Sequence, residues 1–298
     1  MLWFLFTFLS AFFDSVKNVL SKQCLQQIDE HIVVCLYSFS TVFFLVPFIF
    51  FVEIPFLENT FWRALFIGGC LNLLAGILYM RAIKYSSLSK TIPLTCFAPI
   101  FVVITSPFIL GEQSNLFDVL GVITVVTGAY ILNINKVNSG YLAPLKSIFK
   151  EEGSQLMLCV TFIWGISSAV DKIGVQSSSP LIWTLSIYIF MTLATLPIVL
   201  SKNRSIIALL KKKSITDSKE IGSLFISLIL IGLLVSLIGI FQMKAISLTK
   251  VSRVEALKLT NVLMTILLEH RFLKEKINKK RLVGTVIMIV GVLFVTLS

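Results

Sequence analysis

Apolar runs long enough to cross a bilayer recur from one end of the chain to the other, parted by short polar connections. A hydrocarbon core of about 30 Å takes about 20 helical residues. On that measure helices are expected near 2–21, 32–52, 61–81, 90–110, 116–135, 155–175, 180–201, 221–243, 252–270 and 280–297. That makes ten spans, five in each half. The second ends at Glu53-Ile54-Pro55, because proline cannot continue a helix. Two longer polar connections stand out: 136–154, with Gly140, Pro144 and Gly153, and 202–220, with Lys211, Lys212 and Lys213. Both suit short amphipathic stretches on the membrane surface. The pattern divides the chain into a first five-helix repeat over 1–135, a linker over 136–154 and a second repeat over 155–298.

The second half repeats the first. Tyr79 to Asn133 lies over Gln242 to Thr296 with a constant shift of 163 residues and no gap. Met80, Ala82 and Ile83 meet Met243, Ala245 and Ile246. Leu110, Glu112, Asn115, Gly121 and Gly128 meet Leu273, Glu275, Asn278, Gly284 and Gly291. An odd number of spans per repeat makes the second copy enter the membrane from the opposite side. The expected architecture is therefore an all-α integral membrane protein of ten transmembrane helices, arranged as two inverted five-helix repeats.

Composition supports lipid as the solvent. The chain of 298 residues is 56% hydrophobic and 14% charged, against about 25% charged in soluble domains. Its mean hydropathy is +0.93. The five cysteines are scattered without a CxxC pair and read as small core residues; the two histidines lie in different halves, so no metal or other cofactor is expected. A net charge of +11 does not point to nucleic acid, because the lysines and arginines sit in the connections, where positive charge sets topology. The first residues lack a basic segment and a cleavage site and read as a retained span. Connections 1–2, 3–4, 5–6, 7–8 and 9–10 hold most of the positive charge, which places both termini outside.

Polar residues inside spans are the candidates for chemistry, since an ionisable group at the bilayer centre costs roughly 2.5–3.5 kcal/mol on insertion scales. Asp14, Lys17, Asn18 and Ser21 share one face of the first helix. Trp164, Ser167, Ser168 and Asp171 have the same spacing on the sixth, and a shift of 150 residues superposes the two stripes and sets Lys22 on Lys172. On the ninth helix Glu255 and Lys258 are spaced to pair, and Asn261, Thr265 and Glu269 continue their face. The fourth helix has no charge at the equivalent places, so this feature belongs to one repeat only. Tyr79 and Gln242 are mates under the 163-residue shift. Against these readings stand bland ones: Asp14–Lys17 neutralising itself, Glu255 and Lys258 anchoring at the interface, and Tyr79 serving the aromatic belt. Gly121/Gly128 and Gly284/Gly291 are two turns apart and suit close helix packing. Glu112 and Glu275, each at a helix end before a turn, suit capping.

The paired E-x8-G-x6-G segments, with Leu110-Gly111-Glu112 and Trp164-Gly165, resemble the EamA domain of the drug/metabolite transporter superfamily. Leu273-Lys274-Glu275 departs from the motif at its glycine, and Phe13-Asp14 stands where the first repeat would carry Trp-Gly. The resemblance implies ten helices in two repeats, transport rather than catalysis, and cytoplasmic termini, opposite to the charge bias. The expected function is secondary active transport of a small polar or amphipathic, amino acid-like metabolite by alternating access, through gradient-driven exchange or proton coupling. The alternatives are a flippase for a lipid-linked substrate and a sugar-phosphate or nucleotide-sugar exchanger of the same fold. No G-x-x-x-x-G-K-[ST] motif points to ATP. The candidate substrate-binding residues are Asp14, Lys17, Asn18, Tyr79, Trp164, Ser168, Asp171, Gln242, Glu255, Lys258 and Asn261. Expected partners are the small-molecule substrate, membrane lipid, and a proton or counter-substrate, with no nucleic acid. The protein is expected as a monomer or homodimer in the cell (inner) membrane.

Overall fold

A computed structural model describes residues 1–112, 115–133, 151–201 and 218–273, together with Gly284, Ile287, Val290, Gly291 and Phe294. Among the described residues all regular structure is helical. The helices are α1 (Leu2–Leu25), α2 (Glu30–Leu45), α3 (Asn59–Tyr85), α4 (Leu88–Thr91), α5 (Ala98–Leu110) and α6 (Leu116–Asn133). They continue with α7 (Glu152–Gln176), α8 (Pro180–Ser201), α9 (Ser218–Leu248), α10 (Val251–Lys258) and α11 (Thr260–Leu273). Among the described residues, six apolar helical stretches are long enough to span a membrane: Leu2–Leu25, Glu30–Phe51, Asn59–Tyr85, Glu152–Gln176, Pro180–Ser201 and Gly222–Leu248. Large apolar side chains such as Phe43, Phe50, Phe66 and Phe108 stand exposed on the outer surface. In water they would be a liability; in lipid they are the solvated face. The chain is an integral membrane protein.

The expected spans at 90–110 and 252–270 are both broken. In the first, a 3₁₀ turn over Ile92–Phe97 separates α4 from α5, with Pro93 and Pro99 removing backbone donors. In the second, Leu259 interrupts the path from α10 to α11, with no proline present. Leu259 is 163 residues beyond Cys96, so the two interruptions sit at matching positions. The helices that follow α3 and α9 also start in register, at Leu88 and Val251. Span 32–52 differs too: α2 tightens into a 3₁₀ turn over Val46–Phe51, at Pro47 and ahead of Pro55. The span expected at 280–297 and the connections 136–154 and 202–220 lie largely outside the described residues.

Packing interleaves the halves. The most extensive helix contacts are α3 with α7, α1 with α9, and α2 with α8. The first two are counterparts under the sequence repeat. Small residues permit the approach: a Cβ at Gly165 would collide with Phe101, and one at Gly174 with the Trp183 ring. Gly111 ends α5 with φ of 67°, a left-handed conformation that glycine adopts without strain. That is the physical reason for glycine in Leu110-Gly111-Glu112. Cys24, Cys35 and Cys96 are buried free thiols, as expected; Cys70 and Cys159 instead lie exposed on the outer surface.

Candidate functional site

Polar side chains on α1, α3, α7, α9 and α10 turn toward one another and line a cavity of about 140 Å³. On α1, Lys17 Nζ donates to Asp14 Oδ1 at 2.5 Å. Asn261 Nδ2, from α11, donates to Asp14 Oδ2, also at 2.5 Å. Both oxygens of Asp14 are therefore engaged. Lys17 also lies 5.0 Å from the centroid of the Tyr79 ring, a cation–π distance. Tyr79 Oη donates to Asn18 Oδ1 at 2.7 Å, and Asn18 Nδ2 reaches Thr265 Oγ1 at 3.4 Å. This network ties α1 to α3 and α11.

The charged pair expected on the ninth span is arranged differently from its spacing. Glu255 and Lys258 make no direct ion pair; Gln242 of α9 stands between them. Lys258 Nζ donates to Gln242 Oε1 at 2.7 Å, and Gln242 Nε2 donates to Glu255 Oε1 at 3.2 Å. Ser168 Oγ of α7 donates to the same Glu255 oxygen at 3.0 Å. An amide presents an acceptor to the cation and a donor to the carboxylate, which a tyrosine at this position would not do in the same plane. Lys258 also sits 5.9 Å from the Trp164 ring centroid. Glu255 is 7% exposed, and both residues line the cavity.

Asp171 completes the polar set. Its Oδ1 accepts from Trp183 Nε1 at 3.0 Å and from Asn72 Nδ2 at 3.3 Å. The walls between are aromatic: Tyr37, Tyr79, Trp164, Trp183 and Tyr188.

Nine of the eleven expected residues line this cavity: Asp14, Lys17, Tyr79, Trp164, Ser168, Asp171, Gln242, Glu255 and Lys258. The remaining two, Asn18 and Asn261, stand behind it and hold Tyr79 and Asp14. Asn72, Tyr37, Trp183 and Tyr188 were not anticipated. A lone asparagine amid the apolar run of α3 is a readable signal; an aromatic within an apolar run is not. Ser21 is buried with its hydroxyl unpartnered, and Ser167 receives Asn72 Nδ2 at 2.9 Å, so neither belongs to the lining.

The glutamate of the repeated motif is placed for structure. Glu112 Oε2 accepts the backbone N–H of Val251, the first residue of α10, at 3.2 Å, and the Ser106 hydroxyl at 2.9 Å. Its Oε1 takes Lys172 Nζ. The capping reading of Glu112 thus holds, although the helix capped is α10 in the other half. Glu275 lies outside the described residues. The next motif residue, Asn115, exchanges side-chain-to-backbone bonds with Asp118 at 2.8 and 3.1 Å, a reciprocal cap at the start of α6. Asp118 is then buried against Lys250 and Arg253 at 3.2 and 3.3 Å.

A cavity lined by charged, polar and aromatic side chains within a polytopic helical bundle sets the chain among multi-span membrane proteins with an internal cavity. A family model for the EamA-like transporter family matches residues 1–134 and 152–297. The chain belongs to that family, whose members are transporters. No curated protein matches it. Among solved structures, one crystal structure superposes with a TM-score of 0.68 at 14% identity, over 99% of this chain and 96% of its own. At that identity the likeness speaks to fold alone.

Proposed function

We propose that the protein is a secondary active transporter for a small, amino acid-like metabolite, working by alternating access between two inverted repeats of five spans each. The observation that carries this reading is the cavity itself. It draws polar residues from both halves and combines cationic, anionic and aromatic groups. A zwitterion with an apolar body matches that lining: Lys258 suits its carboxylate and the tyrosine and tryptophan faces suit its side chain. Its volume of about 140 Å³ is far below the roughly 300–1,000 Å³ of pockets that take drug-sized ligands. That favours a small metabolite over a nucleotide-sugar or a lipid-linked head group.

The symmetry-matched breaks at Ile92–Phe97 and Leu259 suit moving segments, and the second directly follows the cavity residues Glu255 and Lys258. The driving force is a substrate, proton or counter-substrate gradient across the cell (inner) membrane. Reconstitution in liposomes tests the reading: counterflow of a metabolite panel is measured with and without a pH gradient. Acceleration of at least one amino acid-like solute over protein-free liposomes supports it. A broad panel in which no solute moves, and none raises the melting temperature, overturns it.

A further inference from the structure

Three carboxylates line the cavity, and they are not equivalently satisfied. Asp14 has a donor on each oxygen. Asp171 receives both of its donors on Oδ1, leaving Oδ2 without one among the described residues. Glu255 likewise receives both donors on Oε1, leaving Oε2 without one. Asp171 is 6% exposed and Glu255 7%, and both line the cavity, so whatever meets the two open oxygens must come from the cavity. A buried carboxylate in that state is costly unless a cation meets it.

Among the described residues no ammonium bonds either open oxygen, and Lys258 acts on Asp171 only through space. Lys17 is committed to Asp14, and Lys258 is held by Gln242 over the Trp164 ring. Lining carboxylates outnumber lining ammonium groups three to two. The two half-satisfied carboxylates adjoin, because Ser168, which holds Glu255, is one turn from Asp171 on the same face of α7. Around them stand Trp183, Tyr188 and Tyr37, whose ring faces attract an organic ammonium. An inorganic cation such as Ca²⁺ asks for six or more oxygens, and two carboxylates among aromatic rings do not provide that set.

We propose that Asp171 and Glu255 form the counter-ion site for a protonated primary amine on the transported solute. The amine is then the required group of the substrate, its carboxylate is dispensable, and anionic solutes are rejected. This rests on the transporter reading and names the substrate class within it.

The test uses the full chain in detergent and in liposomes, with phenethylamine, its N-acetyl derivative, 3-phenylpropionate and sodium chloride as probes. Wild-type protein should bind phenethylamine by calorimetry and be stabilised by it, with the acetylated and acidic analogues weaker by about tenfold or more. Asp171→Asn keeps an acceptor for Trp183 and should weaken amine binding by at least about tenfold, leaving the ligand-free melting temperature close to wild type. Glu255→Gln serves as the second variant, and the wild-type ranking of amine over acid decides the matter if neither variant folds. The proposal is overturned if 3-phenylpropionate binds as well as the amine. It is also overturned if both variants bind the amine unchanged, or if Asp171→Asn alters only the response to pH or sodium. Counterflow of some other solute without amine binding sinks this proposal and leaves the transporter reading standing; absence of both sinks the two together.

Discussion

Lys22 and Lys172 stand 150 residues apart, and each reaches a backbone carbonyl that closes the turn after a long helix. Lys22 Nζ donates to Ser86 O at 2.8 Å, and Lys172 Nζ donates to Thr249 O at the same distance. Ser86 and Thr249 are themselves mates under the 163-residue shift. Tyr79 and Gln242 are also mates, yet they do different work. Tyr79 bonds to an asparagine of its own half, while Gln242 separates a glutamate from a lysine inside the cavity. The positions where the halves agree hold turns and helix ends. Met80 with Met243 and Gly76 with Gly239 are shared positions that also line the cavity, but its polar and charged residues stand where the halves disagree. A duplicated bundle keeps its scaffold symmetric because both copies must pack alike, whereas its cavity is a single space and each half can furnish a different part of it.

The comparison can be broken hardest at the scaffold. Glu112→Ala strips partners from Lys172, Ser106 and the Val251 amide at once, and should cost about 3–5 kcal/mol, read as a large fall in melting temperature in detergent. Lys172→Met and Lys22→Met sharpen the symmetry: both should destabilise, and by amounts within about 1 kcal/mol of each other if the two lysines are true counterparts. A large loss from one and none from the other would break the equivalence. Gly174→Val drives a methyl group into the Trp183 ring and should cost about 1–3 kcal/mol through overpacking.

The cavity mates call for a different readout. Gln242→Leu removes the bridge between Glu255 and Lys258 and should slow counterflow by about tenfold while the protein remains folded. Tyr79→Phe removes one hydrogen bond, worth about 1 kcal/mol, and should change transport much less than Gln242→Leu does. Equal effects would remove the distinction between the two mates. The smallest effect belongs to Arg81→Ala, which loses an exposed pair with Glu152 and should shift stability by at most about 0.5 kcal/mol.

Much of this was legible in the sequence because lipid imposes simple rules. The six long spans among the described residues were readable from length and apolarity. The two stripes on α1 and α7 were readable because charge within a span is expensive and must face a partner. What the sequence could not carry was contact between distant residues. The spacing of Glu255 and Lys258 suggests a direct pair, and nothing local reveals that Gln242 intervenes from another helix. The break at Leu259 has no proline to announce it, unlike its counterpart beside Pro93. Trp183 looks like any aromatic in an apolar run until Asp171 is brought against its indole N–H.

The central claim is that the unshared residues of the cavity, rather than the shared scaffold, carry the solute. Counterflow in proteoliposomes tests it most directly, with wild type set beside Lys258→Ala and Glu255→Gln, each checked for folding by melting temperature. The account predicts exchange by wild type, its loss in Glu255→Gln and a slower rate in Lys258→Ala, with melting temperatures little changed. Exchange at wild-type rate in both variants would contradict it.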